Sequence, residues 1–212
     1  MQNNSSQEEI LKRIAAASNE RLAFVYEDVL DNDSIYKPIF PDSVTCFVNE
    51  LQAINGQCIL CDTESDMYAK LKDFVQKHNF TYLFCRDANI SQKLEKLAIP
   101  YSNLDSTFEG MQAGITTCEF LVARTGSVLI SSASPSGRQM NVFPPVHIVL
   151  ANVSQLVDYL EDALLALQEK YDKTLPSIIS TITGPSRTAD IEKTLVLGAH
   201  GPKEFIVFLS KV

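Results

Sequence analysis

The chain has 212 residues, 45% of them apolar and 21% charged, enough for one well-filled hydrophobic core and too apolar for extended disorder or a fibrous repeat. A formal charge of −8 argues against nucleic acid and anionic membrane as partners, because affinity built on neutralising phosphates needs the opposite sign. No apolar run approaches bilayer-spanning length, and the opening MQNNSSQEEI carries neither a basic stretch nor an apolar one of the secretory kind, so a cytoplasmic protein is expected.

Ser5 and Ser6 followed by Glu8 and Glu9 have capping-box spacing, and Ile10, Leu11, Ile14, Leu22 and Val25 recur at roughly helical intervals, predicting a first helix that ends near Phe24. The acidic stretch from Glu27 to Pro41, broken by Pro38 and Pro41, reads as a surface connection, a lid or an arm. Residues 1–41 are thus expected to form a helix and arm, and 42–212 a single domain. Asp42 opens a helical pattern through Val44, Phe47, Val48, Leu51 and Ile54 that Asn55-Gly56 closes, and residues 58–61 (CILC) form a short buried strand. Thr63 with Asp66 starts the next helix, a strand follows at 80–85, Asn89 to Leu97 is a short helix, and Ile99 to Tyr101 a short edge. Alternating apolar strands and capped amphipathic helices predict a parallel sheet covered by helices.

From Gly114 the period changes. The runs ITTCEFLVA (115–123), SVLISSAS (127–134) and VHIVLA (146–151) are β-rich and separated by turns. Ser154 then caps a helix with Leu156, Val157, Leu160, Ala163, Leu164 and Leu167 on one face, and SIISTIT, TLVLGA and EFIVFLS supply further strands. The fold class is α/β, with a mostly parallel sheet and a β-rich C-terminal half.

Of the five cysteines, Cys46, Cys58, Cys85 and Cys118 sit in apolar runs, where a free thiol behaves as a small hydrophobe. Cys58 and Cys61 form a CxxC, but within a strand the two side chains point to opposite faces, which suits neither a redox turn nor a metal site. GxSxG, GxxxxGK[ST], GxGxxG and HExxH are absent from the sequence, and three scattered histidines do not suggest a metal. His78 reads as a solvated cation at a helix C-terminus.

Local signals coincide in ITGPSRTADIEKTLVLGAHGP (182–202). A β-run turns at Gly184-Pro185, and Ser186 or Thr188 is placed to cap a short helix whose N–H groups, with Arg187 beside them, suit a carboxylate or phosphate at a strand end. Equally, Arg187 pairs with Asp190 or Glu192 and only locks a turn. The loops Arg124-Thr125-Gly126-Ser127 and Ser134 to Arg138 are candidates to converge on the same rim, with Glu119 either turned to solvent or aimed at that cavity.

The set RTGS (124–127), PPVH (144–147), GPSRTADIE (184–192) and GAHGP (198–202), in that order, resembles the lactate-utilisation (LUD) domain family, in particular its stand-alone C-type branch. The resemblance implies a three-layer α/β/α sandwich akin to the NagB/ribose-5-phosphate isomerase/CoA-transferase group. It also implies a part in oxidising L-lactate to pyruvate beside iron-sulfur partner subunits, with no cluster or metal in this chain. Chemistry then nominates Thr125, Gly126, Ser127, Arg138, Gly184, Ser186, Arg187, Thr188, Asp190 and His200 for a small carboxylate or phosphate ligand. Glu119, His147, Glu192 and His200 are the candidates for catalysis. Three readings stay open: an accessory subunit, an enzyme acting on an acyl or phosphorylated substrate, and a bare scaffold.

Overall fold

The computed structural model describes residues 4–19, 38–172, 174–191 and 194–212. The chain divides into two units, residues 1–37 and 38–212. In the first, α1 (Asn4–Asn19) carries Ile10, Leu11 and Ile14, all exposed, and an Arg13–Glu9 pair one turn apart. The expected extension of this helix to Phe24, and most of the Glu27 to Pro41 arm, lie outside the described residues.

The second unit runs α2 (Ser43–Ala53), β1 (Gln57–Cys61), α3 (Glu64–Lys77), β2 (Leu83–Phe84), α4 (Ala88–Lys96), β3 (Tyr101–Ser102), β4 (Ala113–Thr117), β5 (Phe120–Val122), β6 (Ser127–Ser131) and β7 (Val146–Asn152). It continues through β8 (Leu156–Val157), α5 (Leu160–Lys170), β9 (Ile179–Ile182), β10 (Arg187–Ile191), β11 (Thr194–Leu197) and β12 (Glu204–Ser210). Helix starts follow their caps: the Asp42 carboxylate accepts from Thr45 N–H at 2.9 Å, the Thr63 hydroxyl from Asp66 N–H at 3.1 Å, and Asp87 from Asn89 N–H at 2.8 Å.

Six strands form the central sheet in the order β1-β12-β7-β4-β2-β3, and every neighbouring pair is parallel. Alternation along β7 and β12 explains why this sheet needs cover on both sides. Ile148, Leu150, Ile206 and Phe208 meet Met67, Leu71, Phe74, Ile90 and Leu94 of α3 and α4 on one face. Val149, Ala151, Phe205, Val207 and Leu209 meet Cys46, Phe47 and Leu51 of α2 on the other.

That second face departs from a simple α/β/α outline. Beside α2 it carries a four-stranded sheet, β8-β5-β6-β9, whose Leu121, Val128 and Ile130 join the same core, and α5 covers the far side of this sheet through Ala163 and Leu167. The run 115–123, read as one strand, is therefore two: β4 belongs to the large sheet, β5 to the small one, and Cys118-Glu119 is the step between them. The expected helix start at Ser154 also moves. Asn152 and Gln155 close a single turn of 3-10 helix by reciprocal side-chain caps, Leu156 and Val157 then pair with Leu121 and Val122, and α5 begins only at Leu160. A strand slot beside β5 outweighs the helical period of these residues.

The CxxC resolves as expected from strand alternation: Cys61 lies in the α3/α4-side core and Cys58 packs against the α2-side core. Burial pushes the Cys58 thiol up to about 12 and the Cys61 thiol up to about 11. Both are accordingly thiols, not thiolates, at neutral pH. An aromatic disulfide reagent at pH 8 is expected to modify neither at an appreciable rate until urea unfolds the chain, which liquid chromatography with peptide mapping would check.

Candidate functional site at the carboxyl edge of the sheet

Gly184-Pro185 does not lead into a helix. Arg187–Ile191 is a strand, antiparallel to Thr194–Leu197, with Arg187 opposite Leu197 and Thr188 opposite Val196. Ser186 shows why: its N–H donates to the Pro202 carbonyl at 2.8 Å and its carbonyl accepts from Gly198 N–H at 3.0 Å, so the returning chain satisfies the backbone that a helix would have left open. The expected helix N-terminus for an anion is absent here. Arg187 and His200 are exposed, Ser186 and Thr188 half-buried, and among the described residues Arg187 makes no ion pair. Glu192 and the Asp190 side chain lie outside what is described.

Among the described residues, the 124–127 loop meets the start of this hairpin on α2, while Arg138 of the other loop bonds elsewhere. Gly126 sits against the backbone of Glu50 and Leu51, and Gly184 against the Ile54 carbonyl, so both press on the C-terminal half of α2. Arg124 adds an ion pair to Glu50 at 2.7 Å, and the Ser127 and Thr183 hydroxyls bond at 2.8 Å, while Thr125 is exposed. Arg138 lies elsewhere, donating to the Ser177 hydroxyl at 2.6 Å. These residues read as packing and clasp positions.

His147 occupies the core. Its ring is fully buried on β7, edge-on to Phe205 at 5.3 Å, with Nε2 at 2.9 Å from the Thr116 hydroxyl. Burial depresses its pKa to about 3, so it is neutral and unsuited to proton transfer near pH 7. The depressed folded pKa makes stability fall as pH drops from the unfolded value of 6.5 toward 3, since only the unfolded chain takes up the proton in that window. Between pH 7 and 5 this amounts to about 2 kcal/mol. Urea midpoints at the two pH values check it, and His147→Gln should lose that slope.

The carboxyl ends of the parallel strands present a different constellation. A cleft of about 420 Å³ opens there between the N-terminal turns of α3 and α4, over Thr117, Asn152 and Ser210 at the ends of β4, β7 and β12. This is the edge where open α/β sheets bind ligands. Met67, Tyr68 and Ile90 supply an apolar wall. Lys93 reaches across to pair with Glu64, its ammonium 5.6 Å from the centre of the Tyr68 ring.

A second cavity, about 160 Å³, shares Thr117 and Pro135 with this cleft and is built around Glu119. Glu119 is buried, and Gln155, which lines the larger cleft, clamps the preceding carbonyl of Cys118 at 2.6 Å. One carboxylate oxygen accepts from the Tyr171 hydroxyl at 2.7 Å and from the Ser131 hydroxyl, and the other from the Lys170 ammonium at 2.7 Å. Burial alone would raise the Glu119 pKa; the bonds from Lys170, Ser131 and Tyr171 outweigh it and hold the carboxyl below its ordinary value. The bond to Glu119 raises Lys170 in turn. The cavity thus holds a buried carboxylate and an ammonium, both charged at neutral pH. Of this set the sequence points only to Glu119, and the expectation of a solvent-facing side chain gives way to a buried one. Ser131, Lys170 and Tyr171 carry no local signal, because they reach Glu119 from residues 12, 51 and 52 positions away.

The arrangement defines a mixed α/β domain with a ligand-sized cleft at the carboxyl edge of a parallel sheet. The same fold is found in the crystal structure of a DUF162 family protein from Deinococcus radiodurans, with a TM-score of 0.60 over 79% of this chain and 96% of that one, at 13% identity. The LUD domain model matches residues 44–210, and the chain belongs to the LUD domain family. It is similar to an uncharacterised protein of Neisseria meningitidis serogroup B, 34% identical over 107 residues, 50% of this chain and 42% of that protein. It is also similar to Lactate utilization protein C of Geobacillus thermodenitrificans, 36% identical over 47% of this chain and 42% of the relative. The protein of the same name in Bacillus subtilis (strain 168) is 36% identical over 44% of this chain and 40% of its own length. The match therefore spans about two-fifths of each of these curated relatives.

Proposed function

We propose that the chain takes part in L-lactate utilisation as an accessory component, binding a small anionic ligand and working with iron-sulfur partner proteins that carry the electrons. The observation that carries this reading is the identity of 36% to proteins named Lactate utilization protein C. Two features agree with it. Lys93 and Lys170, each paired with a carboxylate (Glu64 and Glu119), place ammonium donors at the cavities of the carboxyl edge. Cys58 and Cys61 stand on opposite faces of β1, so this pair cannot share a cluster, which suits electron transfer outside the chain. Deleting the encoding gene should abolish or strongly slow growth on L-lactate as sole carbon source and leave growth on pyruvate unchanged, with recovery on complementation. Equal growth of deletion and parent on L-lactate would sink the reading.

The buried carboxylate of Glu119 favours a second reading, a stand-alone enzyme of the NagB/ribose-5-phosphate isomerase/CoA-transferase kind acting on an acyl or phosphorylated substrate. Turnover by the purified chain without partners separates the two.

A further inference from the structure

Glu119 takes three hydrogen bonds, two on one oxygen and one on the other. A carboxylate offers about four acceptor positions, so the oxygen facing Lys170 can take one more donor. Lys170 uses one of its three N–H groups on Glu119, and its side chain is 53% exposed, leaving donors directed away from the buried carboxylate. Ser134 adds a wall position bearing a hydroxyl, and Ile130 and Cys118 an apolar one. The cavity therefore offers, side by side, an acceptor that wants an O–H, cationic donors that want an anion, and a small apolar surface. At about 160 Å³ it is well under the roughly 300–1,000 Å³ of pockets for drug-sized ligands, which limits the occupant to a few carbons.

We propose that the Glu119 cavity recognises a short 2-hydroxycarboxylate, the ligand's hydroxyl donating to Glu119 and its carboxylate accepting from Lys170. The assignment rests on the lactate reading above for the biological ligand, and on the geometry alone for the class. Pyruvate should fit poorly, because its keto oxygen would meet the Glu119 oxygen, acceptor against acceptor. Propionate lacks the donor altogether. Sites built to hydrogen-bond a substrate hydroxyl discriminate strongly against analogues without one.

Calorimetric titration of the full chain with L-lactate, pyruvate and propionate tests this. L-Lactate should bind at least tenfold more tightly than either analogue. Lys170→Met, a change at a half-exposed position, should weaken L-lactate at least tenfold. Glu119→Gln, whose amide can turn a donor toward a keto oxygen, should narrow the gap between L-lactate and pyruvate, a change that a merely structural Glu119 would not produce. Equal binding of the three acids, or L-lactate binding indifferent to Lys170→Met, overturns the proposal. If no acid binds while growth on L-lactate still needs the gene, the site assignment fails and the lactate reading stands. If the discrimination appears while the gene is dispensable for that growth, the reading fails and the site stands.

Discussion

Gly126→Ala is expected to cost about 4 kcal/mol and to leave much of the chain unfolded at 37 °C. Two independent effects add. The backbone at Gly126 has φ +60, a region where a Cβ costs about 1–2 kcal/mol. A Cβ there would also lie 2.3 Å from the Leu51 nitrogen and 2.7 Å from the Glu50 carbonyl carbon, atoms inside helix α2 that cannot rotate away. Overpacking of this kind costs about 1–3 kcal/mol, at the upper end when the neighbour is backbone. Relief would require lifting the loop from α2, and with it the Arg124–Glu50 pair and the cover over Phe47 and Leu51. Gly137→Ala is the control. Its φ of +74 with ψ 166 lies in a region open essentially to glycine alone, but only the Arg86 side chain at 3.8 Å is near, so a conformational cost of about 1–3 kcal/mol should stand without any overpacking. Urea denaturation of both variants, followed by circular dichroism, separates the terms. A Gly126→Ala midpoint within the range of Gly137→Ala would refute the tight docking of this loop on α2.

How far the sequence reveals this molecule depends on the range over which each feature is determined. Asp42, Thr63 and the period of Met67, Leu71, Phe74 and Val75 act within one or two helical turns, and those helices stand where the spacing puts them. The parallel sheet follows from strands too apolar to tolerate a solvated face. The misread elements are those whose outcome is set by a distant partner. Ser186, Thr188 and Asp190 have the composition of a helix start, yet Gly198 and Pro202 take the backbone bonds and make a hairpin. Leu156 and Val157 keep a helical period with Leu160, yet the free edge of β5 recruits them. Ser127 and Gly184 are legible as special positions but not as the seam they form on α2. At the carboxyl edge, Glu119 is visible because a carboxylate in an apolar run is conspicuous. Its partners are not, since Lys170 in the last turn of a helix is already explained by the helix dipole.

Glu119→Ala is expected to lower stability by about 2–3 kcal/mol. The buried Ser131 hydroxyl and the partly buried Tyr171 hydroxyl would lose their acceptor, while Lys170, half exposed, would return to water at little cost, which keeps the loss below the roughly 3–5 kcal/mol of a wholly buried pair. Glu119→Gln keeps the shape and should cost less, about 1–2 kcal/mol, through loss of the charge-assisted bond. The pH dependence identifies the cause. Because the folded carboxyl titrates below its ordinary 4.5, Glu119 stabilises the fold fully above that pH, and the contribution is lost as pH falls through the lower folded value. His147 acts in a different window, from 6.5 down toward 3. Stability measured against pH should accordingly show two limbs, one beginning near 6.5 and a steeper one below about 4.5. Glu119→Gln should flatten only the lower limb and His147→Gln should remove the upper one. The two groups differ in kind, one a neutral imidazole locked in the sheet and the other a charged carboxylate at a cavity. A variant of Glu119 that steepened the slope between pH 6.5 and 5 would show that the carboxyl holds a proton in the folded chain there, and its pairing with the Lys170 ammonium would fall with that result.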